Sequence, residues 1–326
     1  MAVYTEVTDE ALRAFLSDYA IGELIAFRGI AEGVENSNYA LKTEAGDFIL
    51  TLYEKRVDPE ELPYFLGLMD HLAMHGLACP TPVAAKDGAA LRSLCGRPAA
   101  IVTFLPGVWP RRVKREHCAP LGQALGLLHR AGAGFGKTRP NALGPQGWAP
   151  LLDGCRARGN EVQPGLIAAL DEALAGILAG WPAPDTLPAG QIHADLFPDN
   201  VFFLPDDQGL PRVSGLIDFY FACTDLYAYD LAICLNAWCF DAGYQFQFSQ
   251  ARELITAYCA VRPMSQAEID AMPVLCRGAA LRFLLTRLYD WTHTPEGALV
   301  TRKDPLEYLR KLRQFLQITT PEGLGF

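Results

Sequence analysis

A chain of 326 residues is longer than one hydrophobic core usually spans, so two lobes are expected. Half of its residues are hydrophobic and 20% are charged, which excludes a disordered protein. A net charge of −9 repels phosphate backbones and sets nucleic acid aside as a partner; the basic run "RRVKR" at 111–115 reads as a solvated loop.

In chain order, the first 105 residues mix helix and strand signals. Thr8 suits the cap of a helix whose Leu12, Phe15, Leu16 and Tyr19 recur at helical spacing. "SNYALKTEAGDFILTLYEK" reads as two strands joined by a turn at Gly46. "DPEELPYFLGLMDHLAMHG" reads as a helix capped by Asp58, with Pro59 in its first turn and Gly76 at its end; Pro63 sits awkwardly inside it. "GRPAAIVTFLPG" reads as a strand and an exit turn.

From residue 106 the signals are mainly helical. "CAPLGQALGLLHR" places Leu121, Leu125 and Leu128 on one face, and the Gly- and Pro-rich stretch 131–150 reads as a loop. Helices are expected near 224–240, 248–261, 265–293 and 304–317. Ser265 with Glu268, and Asp304 with Glu307, have capping-box spacing. Two strand-like pieces, "NVFFL" and "VSGLID", interrupt the helices and form a hairpin with polar residues at its ends. The expected fold class is therefore α+β, with lobes at 1–105 and 106–326.

Nine cysteines occur with no Cys-x-x-Cys pair, and several lie in apolar runs such as "LAICLNAWCF"; they read as reduced, buried thiols of a cytoplasmic protein. His71 and His75 are four apart but have no evident third metal ligand. "MAVYTEVTDE" lacks the features of a signal peptide, and no apolar run reaches the roughly 18 residues that span a bilayer, so no membrane association is expected.

The chemistry-bearing pattern is His193-x-Asp195, then Asn200, then Asp218. Phosphoryl transfer from a nucleotide needs a carboxylate to orient the attacking hydroxyl, and further oxygen ligands to hold Mg²⁺ on the phosphates. Asp195 suits the first task, Asn200 and Asp218 the second. The competing interpretation is that such Asp residues only satisfy turn amides, and for Asp199 that interpretation is preferred.

"IHADLFPDN" followed by "LIDFYFACTDLYAYDLA" resembles the aminoglycoside-phosphotransferase and choline-kinase superfamily, which has a protein-kinase-like fold. Within it, stretches from "GVENSNYAL" to "LRFLLTRLYDW" resemble the bacterial homoserine kinase family; together they span residues 33 to 291. The resemblance implies a two-lobe enzyme, with a small N-terminal lobe of antiparallel sheet and helix and a larger helical C-terminal lobe. It implies Asp195 as the catalytic base, Asn200 and Asp218 as Mg²⁺ ligands, and His193 and Asp230 as supports of the catalytic loop. "GVENSN" takes the place of the phosphate-covering loop, so Gly33, Asn36, Ser37 and Asn38 are expected at the ATP phosphates, with Phe104 and Leu105 at the adenine. The third-strand Lys usual in this fold is replaced by Thr51, and Lys42, Lys55 or Arg56 are the candidates for its charge.

L-Homoserine as acceptor requires a donor fork for its carboxylate. Arg287 is the candidate, with an ion pair to Asp290 as its competing role; Tyr220 and Asn236 are further candidates for the acceptor pocket. The product would be O-phospho-L-homoserine, on the route to threonine. The alternatives are another hydroxyl acceptor (an aminoglycoside, choline or a methylthio-sugar) or a nucleotide-binding pseudokinase.

Overall fold

The computed structural model describes residues 4–30, 36–54, 58–294 and 302–326. The chain divides into two compact units: Met1–Gly107 with Ser214–Tyr220, and Val108–Val213 with Phe221–Phe326.

The first unit is built on an antiparallel sheet of order β1-β2-β3-β5-β4, from β1 (Leu24–Gly29), β2 (Ser37–Thr43), β3 (Gly46–Leu52), β4 (Arg92–Leu94) and β5 (Arg97–Thr103). The Gly46 hairpin takes the expected register, with Asn38 opposite Thr51 and Lys42 opposite Asp47. Tyr39, Leu41, Leu50, Leu52, Ala99 and Ile101 pack into one core with Leu12, Phe15 and Leu16 of α1 (Asp9–Leu16). Thr8 caps α1 through the Ala11 amide, as its sequence position suggests. Pro63 is accommodated because the helix is really two elements. Asp58 caps a 3₁₀ turn over Pro59–Glu61, and α2 (Leu62–Met74) starts afresh, with Pro63 in its first turn where no amide donor is needed.

The second unit is mainly helical. Its elements are α3 (Cys118–Ala131), α4 (Pro145–Cys155), α5 (Gly159–Val162), α6 (Leu166–Gly180), β6 (Ala189–Ile192), β7 (Val201–Pro205), β8 (Pro211–Leu216, whose last residues belong to the first unit), β9 (Cys223–Leu226), α7 (Tyr227–Trp238), α8 (Phe248–Val261), α9 (Gln266–His293) and α10 (Pro305–Gln317). The loop expected over 131–150 ends early, because Pro145 opens α4 from a first-turn position. At Gly122, α3 and α8 touch so closely that an added Cβ would lie 2.2 Å from the Leu254 carbonyl oxygen. Ser265 and Glu268 form the expected capping box on α9. Asp304 caps α10 at Leu306, but Glu307 turns to Arg287 and Lys311 instead of completing a box.

Besides the expected β7–β8 hairpin, β6 and β9 pair antiparallel, with Ile192 opposite Cys223. These strands have only four residues each, too few for an alternation signal. Their pairing delivers the chain to His193 beside the point where it re-enters at Cys223.

Candidate active site

β6 runs directly into the segment His193–Asn200, and every peptide group at its start is held. The Asp230 carboxylate, in the first turn of α7, accepts the His193 amide at 2.8 Å and the Ala194 amide at 2.9 Å. The Ala194 carbonyl accepts the Arg282 guanidinium from α9. The Asp195 amide donates to His193 Nδ1 at 3.3 Å, and the Asp195 carbonyl accepts the Asn200 amide nitrogen at 2.8 Å. Trp238 Nε1 donates to the Leu196 carbonyl at 2.8 Å. Such a network over-determines Ala194, whose φ of 62° is costly for a residue with a Cβ. The result is a rigid mount for one half-buried carboxylate, Asp195.

Burial raises the Asp195 carboxyl above the ordinary Asp range, while Arg282, His193 and Lys303 pull it back. Burial would raise Asp230 too, but hydrogen bonds from His129 and the His193 amide bring it below the usual range, so it stays ionised. His129, from α3, gives Nε2–H to Asp230 at 3.1 Å and takes the Tyr258 hydroxyl on Nδ1 at 2.9 Å. That hydroxyl accepts Arg262 Nη1 at 3.0 Å, and Arg262 pairs with the buried Glu268 at 2.8 Å. Burial lowers the His129 pKa, which keeps the imidazole neutral and suits this pattern.

Asn200 has committed its amide nitrogen to the loop, so its carbonyl oxygen is the atom left to a cation. Asp218 follows β8 in the first unit at φ 64°. A carboxamide oxygen and a carboxylate are hard donors, the type that Mg²⁺ takes. Among the described residues, no group of three His, Cys, Asp or Glu side chains gathers as a metal site. The His71 and His75 rings lie 4.2 Å apart, tilted by 35°, and His75 Nδ1 meets the His71 carbonyl at the end of α2.

In the first unit, Thr51 Oγ1 donates to Asn38 Oδ1 at 2.8 Å, which leaves the Asn38 amide nitrogen as a donor. Lys42 is four residues along the strand, about 13 Å away, and does not supply charge at Thr51. Lys55, Arg56 and Gly33 lie outside the described residues. Asn36 is buried, and its Oδ1 accepts the Glu54 amide at 3.3 Å. The Ser37 hydroxyl is also buried and fully used. It accepts the Tyr4 and Thr5 amides and donates to Glu54, so its side chain has no donor to offer a phosphate. The Phe104 amide donates to the Asp47 carbonyl, and the Leu105 side chain lies over Gly215, where a Cβ would sit 2.5 Å from it.

Three acceptor-pocket candidates have other engagements. Arg287 pairs with Glu307 at 2.6 Å rather than with Asp290. Asn236 is wholly buried, and its amide bonds the Ala232 and Cys276 carbonyls. Tyr220 meets the Tyr53 hydroxyl at 3.1 Å and the Thr51 side chain, and burial pushes its own hydroxyl up to about 12. Sequence reasoning missed the bracing roles of His129, Trp238, Tyr258 and Arg282. A His ending the run "ALGLLH" and an Arg within "AALRFLL" were the available signal.

The sequence pattern of the phosphotransferase enzyme family matches residues 26–266. The chain is 68% identical over 313 residues to the homoserine kinase of Gluconacetobacter diazotrophicus, covering 96% of both chains. It is 64% identical to the homoserine kinase of Acidiphilium cryptum over the full length of both. Among solved structures it is similar to a microcompartment-associated aminopropanol kinase (TM-score 0.64, 18% identity, 97% of this chain and 99% of the other). It is also similar to a spectinomycin phosphotransferase (TM-score 0.66, 11% identity, 99% and 98%). These likenesses show the kinase-like α+β fold that the sequence leads one to expect.

Proposed function

Because the chain belongs to the phosphotransferase enzyme family, we propose that it is a homoserine kinase, transferring the γ-phosphate of ATP to the side-chain hydroxyl of L-homoserine. The observation that carries this reading is a single braced carboxylate, Asp195, in a chain that aligns end to end with proteins named homoserine kinase.

Asp195 orients the acceptor hydroxyl and takes its proton as the oxygen bonds to the γ-phosphorus and the bond to ADP breaks. Its ionised form is needed, and Arg282 and His193 favour it against burial. Asn200 and Asp218 are the residues that would hold Mg²⁺, which when bound neutralises charge on the phosphates. His193 and Asp230 set the position of Asp195 and do not react. Asn38, Thr51, Phe104 and Leu105 are the described residues assigned to ATP, together with the backbone at Asn36 and Ser37. O-Phospho-L-homoserine is the product, an intermediate toward threonine. A cytoplasmic place in the cell goes with the homoserine kinase reading; separately, no described helix is long and apolar enough to cross a membrane.

The test is ADP release from ATP and Mg²⁺ with homoserine, serine, threonine, choline and kanamycin as acceptors. Release that requires homoserine, and that Asp195→Ala removes while nucleotide still binds, is the expected result. Release with choline or kanamycin alone would keep the kinase and discard homoserine.

A further inference from the structure

We propose that Lys303 binds the carboxylate of the acceptor, and so selects carboxylate-bearing alcohols over cationic ones at Asp195. The inference rests on the homoserine reading and adds the residue that would enforce it.

An acceptor with its own carboxylate is repelled by Asp195 unless a cation stands within reach of both. Two permanently cationic side chains, Arg282 and Lys303, lower the Asp195 pKa through their charge. Arg282 is only 2% exposed; its Nη1 is bonded to the Ala194 carbonyl and the guanidinium lies 4.2 Å from the Phe283 ring, so it sits behind the loop rather than open to an incoming carboxylate. Nearby cations on α9 and α10 are also engaged. Arg287 pairs with Glu307, while Lys311 pairs with Glu307 and donates to the Asn236 carbonyl. Arg302 donates to the Thr294 carbonyl.

Lys303 differs from all of these. It is exposed, and among the described residues its ammonium forms no ion pair within 4.0 Å. Its Nζ lies 5.7 Å from the centre of the Phe197 ring. That ring is fixed to the same turn as Asp195, because the Phe197 amide donates to the Asp195 carbonyl at 2.8 Å and the ring meets Phe283 edge-on at 4.9 Å. An ammonium held over an aromatic face keeps its charge while part of its water is replaced by the ring. It can then take a carboxylate in a charge-assisted hydrogen bond. A quaternary ammonium or a polyamine would instead meet a like charge there, so the same residue attracts one class and rejects the other.

The test compares L-homoserine with 2-amino-1,4-butanediol, which replaces the carboxylate by a hydroxymethyl group, in the wild-type chain, Lys303→Gln and Lys303→Arg. Lys303→Gln should shrink the kcat/KM preference for homoserine over the diol by roughly 10- to 100-fold, the range of one hydrogen bond to a charged group. The change should appear in KM rather than kcat, and Lys303→Arg should restore part of it. Calorimetric titration of both compounds into the ADP-loaded protein gives the same comparison without turnover. An unchanged preference, or equal losses on both compounds, overturns the assignment. If the chain ignores homoserine but uses another carboxylate-bearing alcohol with the same Lys303 dependence, homoserine falls and the Lys303 assignment stands. If it uses only carboxylate-free alcohols, both fall.

Discussion

The Asp230 carboxylate accepts the Ala194 amide at 2.9 Å and so pins a left-handed alanine immediately before Asp195. Asp230→Ala leaves the buried amides of His193 and Ala194 without partners, and each such loss costs about 1–3 kcal/mol. The variant should unfold at lower denaturant, and the molecules that remain folded should have a kcat well below wild type. Equal stability by chemical denaturation would remove Asp230 from this role.

The next link outward is Tyr258. Tyr258→Phe takes away the hydroxyl that faces both His129 Nδ1 and Arg262. A buried ring nitrogen without a partner costs about 1–3 kcal/mol, so stability should fall by that order. The His129 tautomer should also lose definition, which ¹⁵N NMR of the imidazole reads directly. Retention of a single Nε2–H tautomer in the variant would mean that Asp230 alone sets it.

In the proposed reaction Asp195 acts as an ionised carboxylate, and burial already lifts its pKa above the ordinary value of 3.8. The acid limb of kcat/KM should therefore lie above the ordinary Asp range. Arg282 is the first of the charges that lower this pKa, so Arg282→Met should move the limb to still higher pH, and Arg282→Lys should move it less. A limb that stays in place in both variants would assign it to another group.

Glu307 holds two cations, the buried Lys311 and the half-buried Arg287. Burial raises its pKa, yet Lys311 and Arg287 together bring it below the ordinary 4.5. A folded pKa below the unfolded one adds stability above the unfolded value, and that stability is lost as pH falls through the folded pKa. Glu307→Ala should destabilise by about 1–3 kcal/mol at neutral pH, chiefly because the buried Lys311 loses its carboxylate. The difference from wild type should narrow in acid below pH 4.5. Urea titrations at neutral and acid pH measure both effects.

Gly122→Ala tests the packing that carries α3. Its Cβ would press on the Leu254 backbone, which cannot rotate aside as a side chain can. Overpacking of this kind costs about 1–3 kcal/mol, visible as a lower Tm. An unchanged Tm would show that α3 and α8 can separate freely.

The sequence by itself determined the elements whose signals are local. Thr8 and Ser265 cap their helices, Gly46 turns its hairpin, and the spacing from His193 to Asp218 carries the proposed site, because caps, turns and short motifs are read within a few residues. It misjudged 145–150, where a first-turn proline looks like loop punctuation, and it could not see four-residue β6 and β9. Only the tertiary structure decided which partners the polar side chains take. Arg287 chose Glu307, 20 residues away, over Asp290, three away. Arg282 reached Ala194 across 88 residues, and the Ser37 hydroxyl was spent on Glu54. A buried polar group must pair with whatever packing brings to it, and packing joins residues that sequence spacing keeps apart.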